Sequence, residues 1–162
     1  MNGSELFFGE DEFIVSKTDL QGKITYGNSL FIEMSGYDEG DLIGAPHNIL
    51  RHPQMPALIF KLLWSTIKSG EEIFAYVVNK TKNGDYYWVF AHVTPSIDDS
   101  GRIIGYHSVR RKPTAKALSV IQPLYAQLLR AEQSGGAAMS QKHLETLLAS
   151  KGVLYEEFIL SL

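Results

Sequence analysis

A chain of 162 residues with a formal charge of −3 is the size of one compact domain with room for an appended segment. With no cysteine, disulfides, thiolate metal sites and cysteinyl adducts are excluded, and a reducing, cytoplasmic setting is permitted. Fifteen Lys and Arg against eighteen Asp and Glu leave no electrostatic footprint for nucleic acid, and no run approaches the roughly 20 apolar residues of a bilayer span, so any membrane contact is expected through a partner.

The chain opens on an acidic leader, MNGSELFFGEDEF, which does not read as a signal peptide; residues 1–12, with Leu6, Phe7 and Phe8, are expected to form an N-terminal cap. Two β-rich runs, Phe13 to Ser16 and Ile24 to Tyr26, flank a turn at Gly22 and predict a hairpin. Ser29 to Tyr37 predicts a short helix stopping near Gly36, and Asp38 to Ile43 an acidic turn or helical turn. From Gly44 to Trp64 the chain reads GAPHNILRHPQMPALIFKLLW. Its three prolines bias Ala45, His52 and Met55 away from helix, so short turns are expected up to a helix starting near Pro56. Arg51 and His52 fall at the bend, where loops place ligand-contacting groups. A surface carboxylate for Arg51 and a carbonyl for His52 are the plainer alternatives.

After a stop at Gly70, Ile73 to Thr81, the Asn83-Gly84 turn and Tyr86 to Thr94 predict a second hairpin, and Ile103 to Arg110 a further strand. Five strands with the helices between them predict an α+β fold, a five-stranded antiparallel sheet with short helices on one face. Alternation puts Ile73, Ala75, Val77 and Asn79, then Tyr87, Val89, Ala91 and Val93, then Ile103, Gly105, His107 and Val109 toward the helices. The other face carries Phe74, Tyr76, Trp88, Phe90, His92, Ile104 and Tyr106. Both faces are apolar, so a second cover is expected from the termini or a second chain. Asn79 is the one amide on its apolar face, and leaving it unsatisfied costs about 1–3 kcal/mol; a ligand, a water or a backbone group could each meet it. From residue 113 to 162 apolar residues recur at helical spacing, interrupted at Gly135-Gly136, and predict a helical C-terminal docking segment. No Ser/His/Asp order, metal-ligand spacing or phosphate loop points to an enzyme.

The run Ile24-Thr25-Tyr26-Gly27-Asn28, Ser35-Gly36-Tyr37, Leu42-Ile43-Gly44, Pro46-His47-Asn48, Arg51-His52-Pro53, Trp64, Lys82-Asn83-Gly84-Asp85, Tyr87-Trp88-Val89, Pro95 and Gly105-Tyr106 resembles the PAS family. Within it, the likeness is to the flavin-binding PAS domains of the aerotaxis receptor (Aer) type. It covers roughly residues 13–112 and continues weakly through Tyr125. Because the chain ends without a membrane span or signalling domain, it is most similar to the standalone, CetB-type PAS subunits of bipartite energy-taxis receptors.

The resemblance implies a PAS sensor domain over 13–112 that binds FAD and relays its redox state to a membrane-anchored chemoreceptor-type partner. It implies a cytoplasmic protein, recruited to the membrane by that partner and pairing as a homodimer through the sheet face or the N-terminal cap. It places Asn28, Arg51, His52, Trp64, Asn79 and Tyr87 at or near the flavin, with Arg51 answering the pyrophosphate or adenine end. His107 stands where light-sensing flavin PAS domains carry a glutamine beside the reactive ring edge. It is either a hydrogen-bond partner of flavin N5 or a core histidine satisfied by a carbonyl. Gln54 replaces an acidic residue of the aerotaxis receptors and Ile73 a tryptophan of their pocket. Two alternatives keep the fold: a haem b gas sensor with His47, His52, His92 or His107 as axial ligand, and a ligand-free interaction module whose pocket is filled by its own side chains.

Overall fold

The computed structural model describes residues 3–162; of the expected cap, residues 1 and 2 lie outside that range. Five strands, β1 Ile14–Thr18, β2 Ile24–Gly27, β3 Ile73–Lys80, β4 Tyr86–Ile97 and β5 Ile103–Arg111, make one antiparallel sheet in the order β2-β1-β5-β4-β3. The β1–β2, β3–β4 and β4–β5 hairpins are local, each closed by a glycine turn, and β5 joins the two halves of the sheet by pairing with both β1 and β4. Tyr86 N–H donates to Ser4 O and Leu6 N–H to Tyr86 O, which ties the N-terminal segment to the start of β4.

Between β2 and β3 run α1 Ser29–Ser35, α2 Glu39–Leu42, a 3₁₀ turn at His47–Leu50 and α3 Ala57–Lys68, all against one face of the sheet. The prolines punctuate this layer as expected: Pro46 and Pro56 are both extended, and each precedes a helical start. Leu58, Ile59 and Ile67 of α3 are buried, whereas Phe60, Leu63 and Trp64 stay partly accessible because they border a cavity. β4 runs to Ile97, past the expected end at Thr94, and takes Pro95 with it. Because β3 begins at Ile73, opposite Val93, Pro95 lies beyond that neighbour and its missing N–H interrupts no ladder there.

Over β3 and β4 the opposite face is covered by the chain's own C-terminus. α4, Ala115–Lys151, reverses at Gly136, whose φ of 68° and ψ of −166° suit glycine alone, and α5, Tyr155–Leu160, follows. Ile121, Leu124, Tyr125 and Leu128 are buried, with the Tyr125 ring 5.9 Å from Trp88. Tyr125 Oη donates to Tyr76 O, and Tyr155 Oη to Phe74 O at 3.0 Å. Both carbonyls belong to β3, an edge strand, so the helices also blunt that edge.

One expectation about the sheet is corrected. Ile97 pairs with Ile103 but Ser96 with Gly105, so β5 carries an extra residue at Ile104. Such a bulge inverts the alternation beyond it. Tyr106, Ser108 and Arg110 therefore face the helical layer, and Gly105, His107 and Val109 face away.

Candidate ligand cavity

A cavity of about 390 Å³ opens between the helical layer and the inner face of the sheet, inside the range of roughly 300–1,000 Å³ typical of small-ligand sites. Val77 and Asn79 of β3, Ala91 and Val93 of β4, Ser16 and Thr18 of β1, and Tyr106, Ser108 and Arg110 of β5 form one wall. His47, Asn48 and Arg51 of the proline-rich bend and Phe60, Leu63, Trp64 and Ile67 of α3 form the other. Trp64 meets Tyr106 edge-on at 5.5 Å. The β1–β2 turn closes on the same indole at Gly22, where φ is +82° and a Cβ would stand 3.0 Å from Trp64 Cη2.

The apolar walls end in a polar floor. Arg110 is 3% exposed; its Nη2 donates to Ser16 Oγ, its guanidinium lies 5.0 Å over the Phe31 ring, and its Nε has no partner. Ser16 Oγ, which accepts from Arg110, also hydrogen-bonds His47 Nε2 at 3.1 Å. Burial, reinforced by the Arg110 charge, holds His47 down at about 3, so the ring is neutral. Burial lowers Arg110 only to about 10, so it keeps its charge at neutral pH. Asn79 Nδ2 and Tyr87 Oη are likewise buried and unpartnered. Burial raises Tyr87 above the ordinary tyrosine range; the Arg110 charge works against it, as does the Asn79 amide beside the hydroxyl, which falls short of hydrogen-bond geometry.

Of the expected site residues, Arg51, Trp64, Asn79 and His107 border the cavity. Arg51 is exposed at the mouth, its guanidinium 4.6 Å over Phe60 and its backbone bridged to Asn79. His107 reaches the cavity wall, but the bulge turns its side chain to the outer face opposite Thr94 and Lys17, which corrects its expected place beside a ring. Asn28 does not border the cavity: its Oδ1 accepts from Phe31 N–H at 3.0 Å and Val15 N–H at 3.1 Å, and its Nδ2 donates to Phe13 O at 2.8 Å. That satisfied amide caps α1. His52 is also outside, buried against Tyr86 with its Nδ1 accepting from Gln54 N–H. Tyr87 lies on the inner face beside its cross-strand partner Asn79.

These groups suit a heteroaromatic ligand with hydrogen-bonding edges. Unpartnered donors at Asn79 and Arg110 are what an acceptor-rich ring edge satisfies, and Trp64, Phe60 and Leu63 supply the apolar walls. Haem fits poorly. His92 and His107 point away from the cavity, His52 stands outside it, and His47 has its Nε2 engaged by Ser16. Nor do the protein's own side chains fill the space.

A sheet of this order, a helical layer of this kind and a cavity between them define an α+β domain with an internal space of small-ligand size. The chain belongs to the PAS-fold family, whose sequence profile matches residues 24–110, more than half its length. It is 43% identical over 119 residues to the aerotaxis receptor of Escherichia coli (strain K12), covering 74% of this chain and 23% of the receptor, so it is a PAS domain of the aerotaxis-receptor type. Among solved structures it resembles the light state of the blue-light photoreceptor Aureochrome1 LOV, with a TM-score of 0.58 and 22% identity over 77% of this chain and 92% of that one. It also resembles the LOV domain of the Erythrobacter litoralis EL346 blue-light activated histidine kinase, with a TM-score of 0.56 and 19% identity over 60% and 93% of the two chains. At those identities the likeness is one of fold.

Proposed function

We propose that the chain is a non-catalytic redox sensor of the energy-taxis kind, holding FAD in the inner cavity and passing the state of its ring to a chemoreceptor-type signalling partner. The observation that carries this reading is the buried, unpartnered amide of Asn79 on the wall of a cavity of about 390 Å³. Kinship with an aerotaxis receptor supports it. Asn79 would hold the pyrimidine edge of a flavin ring, with the α3 side chains Phe60, Leu63 and Trp64 as its apolar wall. Arg51 at the mouth takes the pyrophosphate, whose charge is best left near water. When bound, the flavin supplies reversible electron uptake, and the chain supplies orientation and exclusion of water.

A ligand state shifts a conformation only through contacts that differ between states. Here those contacts reach outward through α3. Its first amides, Ala57 and Leu58 N–H, donate to the Glu132 carboxylate of α4 at 3.1 and 3.0 Å, so a shift of α3 is felt by the C-terminal helices. Among the described residues no helix is long and apolar enough to cross a membrane. The outer face at β3 and β4 is taken by α4 and α5; the N-terminal cap, with Phe7 67% exposed, and the open outer face of β1, β2 and β5 are the surfaces available to the expected homodimer. The absorbance spectrum of the purified chain tests the assignment: flavin bands are expected, lost in Arg51→Ala, whereas a Soret band or an unchanged flavin spectrum in that variant contradicts it.

A further inference from the structure

The fold leaves Arg110 unexplained. A guanidinium taken out of water costs several kcal/mol unless an anion meets it, and a serine hydroxyl is a neutral substitute. Among the described residues no carboxylate lies within ion-pairing distance of Arg110. The titratable groups near it are His47, Tyr87 and His107, none of them anionic at neutral pH. An uncompensated positive charge therefore stands at the inner end of the cavity with a free Nε donor.

We propose that Arg110 is the charge partner of the reduced ring, holding the negative charge that the isoalloxazine acquires at its N1–C2=O edge. This rests on the FAD reading above. Two electrons and one proton, the proton at N5, convert the neutral oxidised ring into a monoanion, and a cellular electron carrier supplies the electrons. The cavity's two arginines divide the ligand by hydration. A pyrophosphate keeps its water at the exposed Arg51, while a delocalised ring anion tolerates the dry end, where the low dielectric strengthens its attraction to Arg110. Arg110 thus favours the reduced form over the oxidised one and raises the potential of the bound flavin. It also joins β1 to β5 through Ser16, so the same contact reports the charge to the centre of the sheet.

The full chain, loaded with FAD, is titrated with dithionite beside free FAD. Between about pH 5 and 6 a tenfold change in proton activity is worth ~59 mV if two protons accompany two electrons and ~30 mV if one does. The bound flavin is expected to show the smaller slope and free FAD the larger. Arg110→Met is expected to lower the preference for reduced over oxidised FAD at least tenfold, a fall of ~30 mV for a two-electron couple. Arg110→Lys keeps most of that preference. A two-proton slope in the parent overturns the proposal even if Arg110→Met does not fold, and so does a Met variant with unchanged potential. A parent chain that takes up no FAD at all overturns both this and the sensor reading, and is recognised before any reductant is added.

Discussion

The two faces of the sheet bury aromatic and polar groups to opposite ends. On the outer face the tyrosine hydroxyls that α4 and α5 bring down find backbone carbonyls, Tyr125 at Tyr76 and Tyr155 at Phe74. On the inner face Asn79, Tyr87 and Arg110 each keep a buried polar atom without a partner, whereas outside only Trp88 Nε1 does among the described residues. An unmet buried donor costs about 1–3 kcal/mol, so the inner face forgoes stability that the outer face retains. The difference teaches which face is finished and which waits for a ligand.

Substitutions sharpen that contrast. Leu128, fully buried on α4, is expected to cost 2–5 kcal/mol as Leu128→Ala, read as a lower urea midpoint without loss of FAD affinity per folded molecule. Acid comes next. With His47 held at about 3 in the fold and near 6.5 in the unfolded chain, the unfolded state binds the extra proton between those values. Stability is then full above about pH 6.5 and falls on acidification by about 1.4 kcal/mol per pH unit, and His47→Gln should flatten that dependence in urea titrations at successive pH values.

Smaller effects have opposite signs on the two faces. Tyr125→Phe, which strips a satisfied hydroxyl, is expected to destabilise by about 1 kcal/mol; Asn79→Val, which removes an unsatisfied amide, is expected to stabilise the ligand-free chain or leave it unchanged. Equal losses at both would erase the distinction. Glu132→Gln should cost the least, about 0.5–1 kcal/mol by thermal melting, since it weakens a charged cap on α3 and keeps its shape.

Much of the fold was legible because its punctuation is local. Asn83-Gly84 closes a hairpin, the prolines near Arg51 end turns, and Gly136 reverses a helix, each by backbone preferences that belong to the residue itself. Asn79 stood out as an amide on an apolar strand face and lies at the cavity. Arg110 did not, because a single extra residue at Ile104 inverts the alternation that follows, and nothing in the composition of β5 marks it. The same inversion carried His107 to the wrong face. Asn28 misled for another reason: a side chain suited to a ligand edge is equally suited to a helix cap, and only the positions of Phe31, Val15 and Phe13 decide between them. That the second cover is the C-terminus depends on contacts across the whole chain, such as Tyr125 with Tyr76, which periodicity does not encode.

Calorimetric titration of the full chain with FAD, run beside Asn79→Val, tests the central claim most directly. One site per chain is expected, weakened about tenfold in the variant, the equivalent of ~1.4 kcal/mol for one buried hydrogen bond. Absence of binding, or binding that Asn79→Val leaves untouched, contradicts a flavin held by the inner face of the sheet.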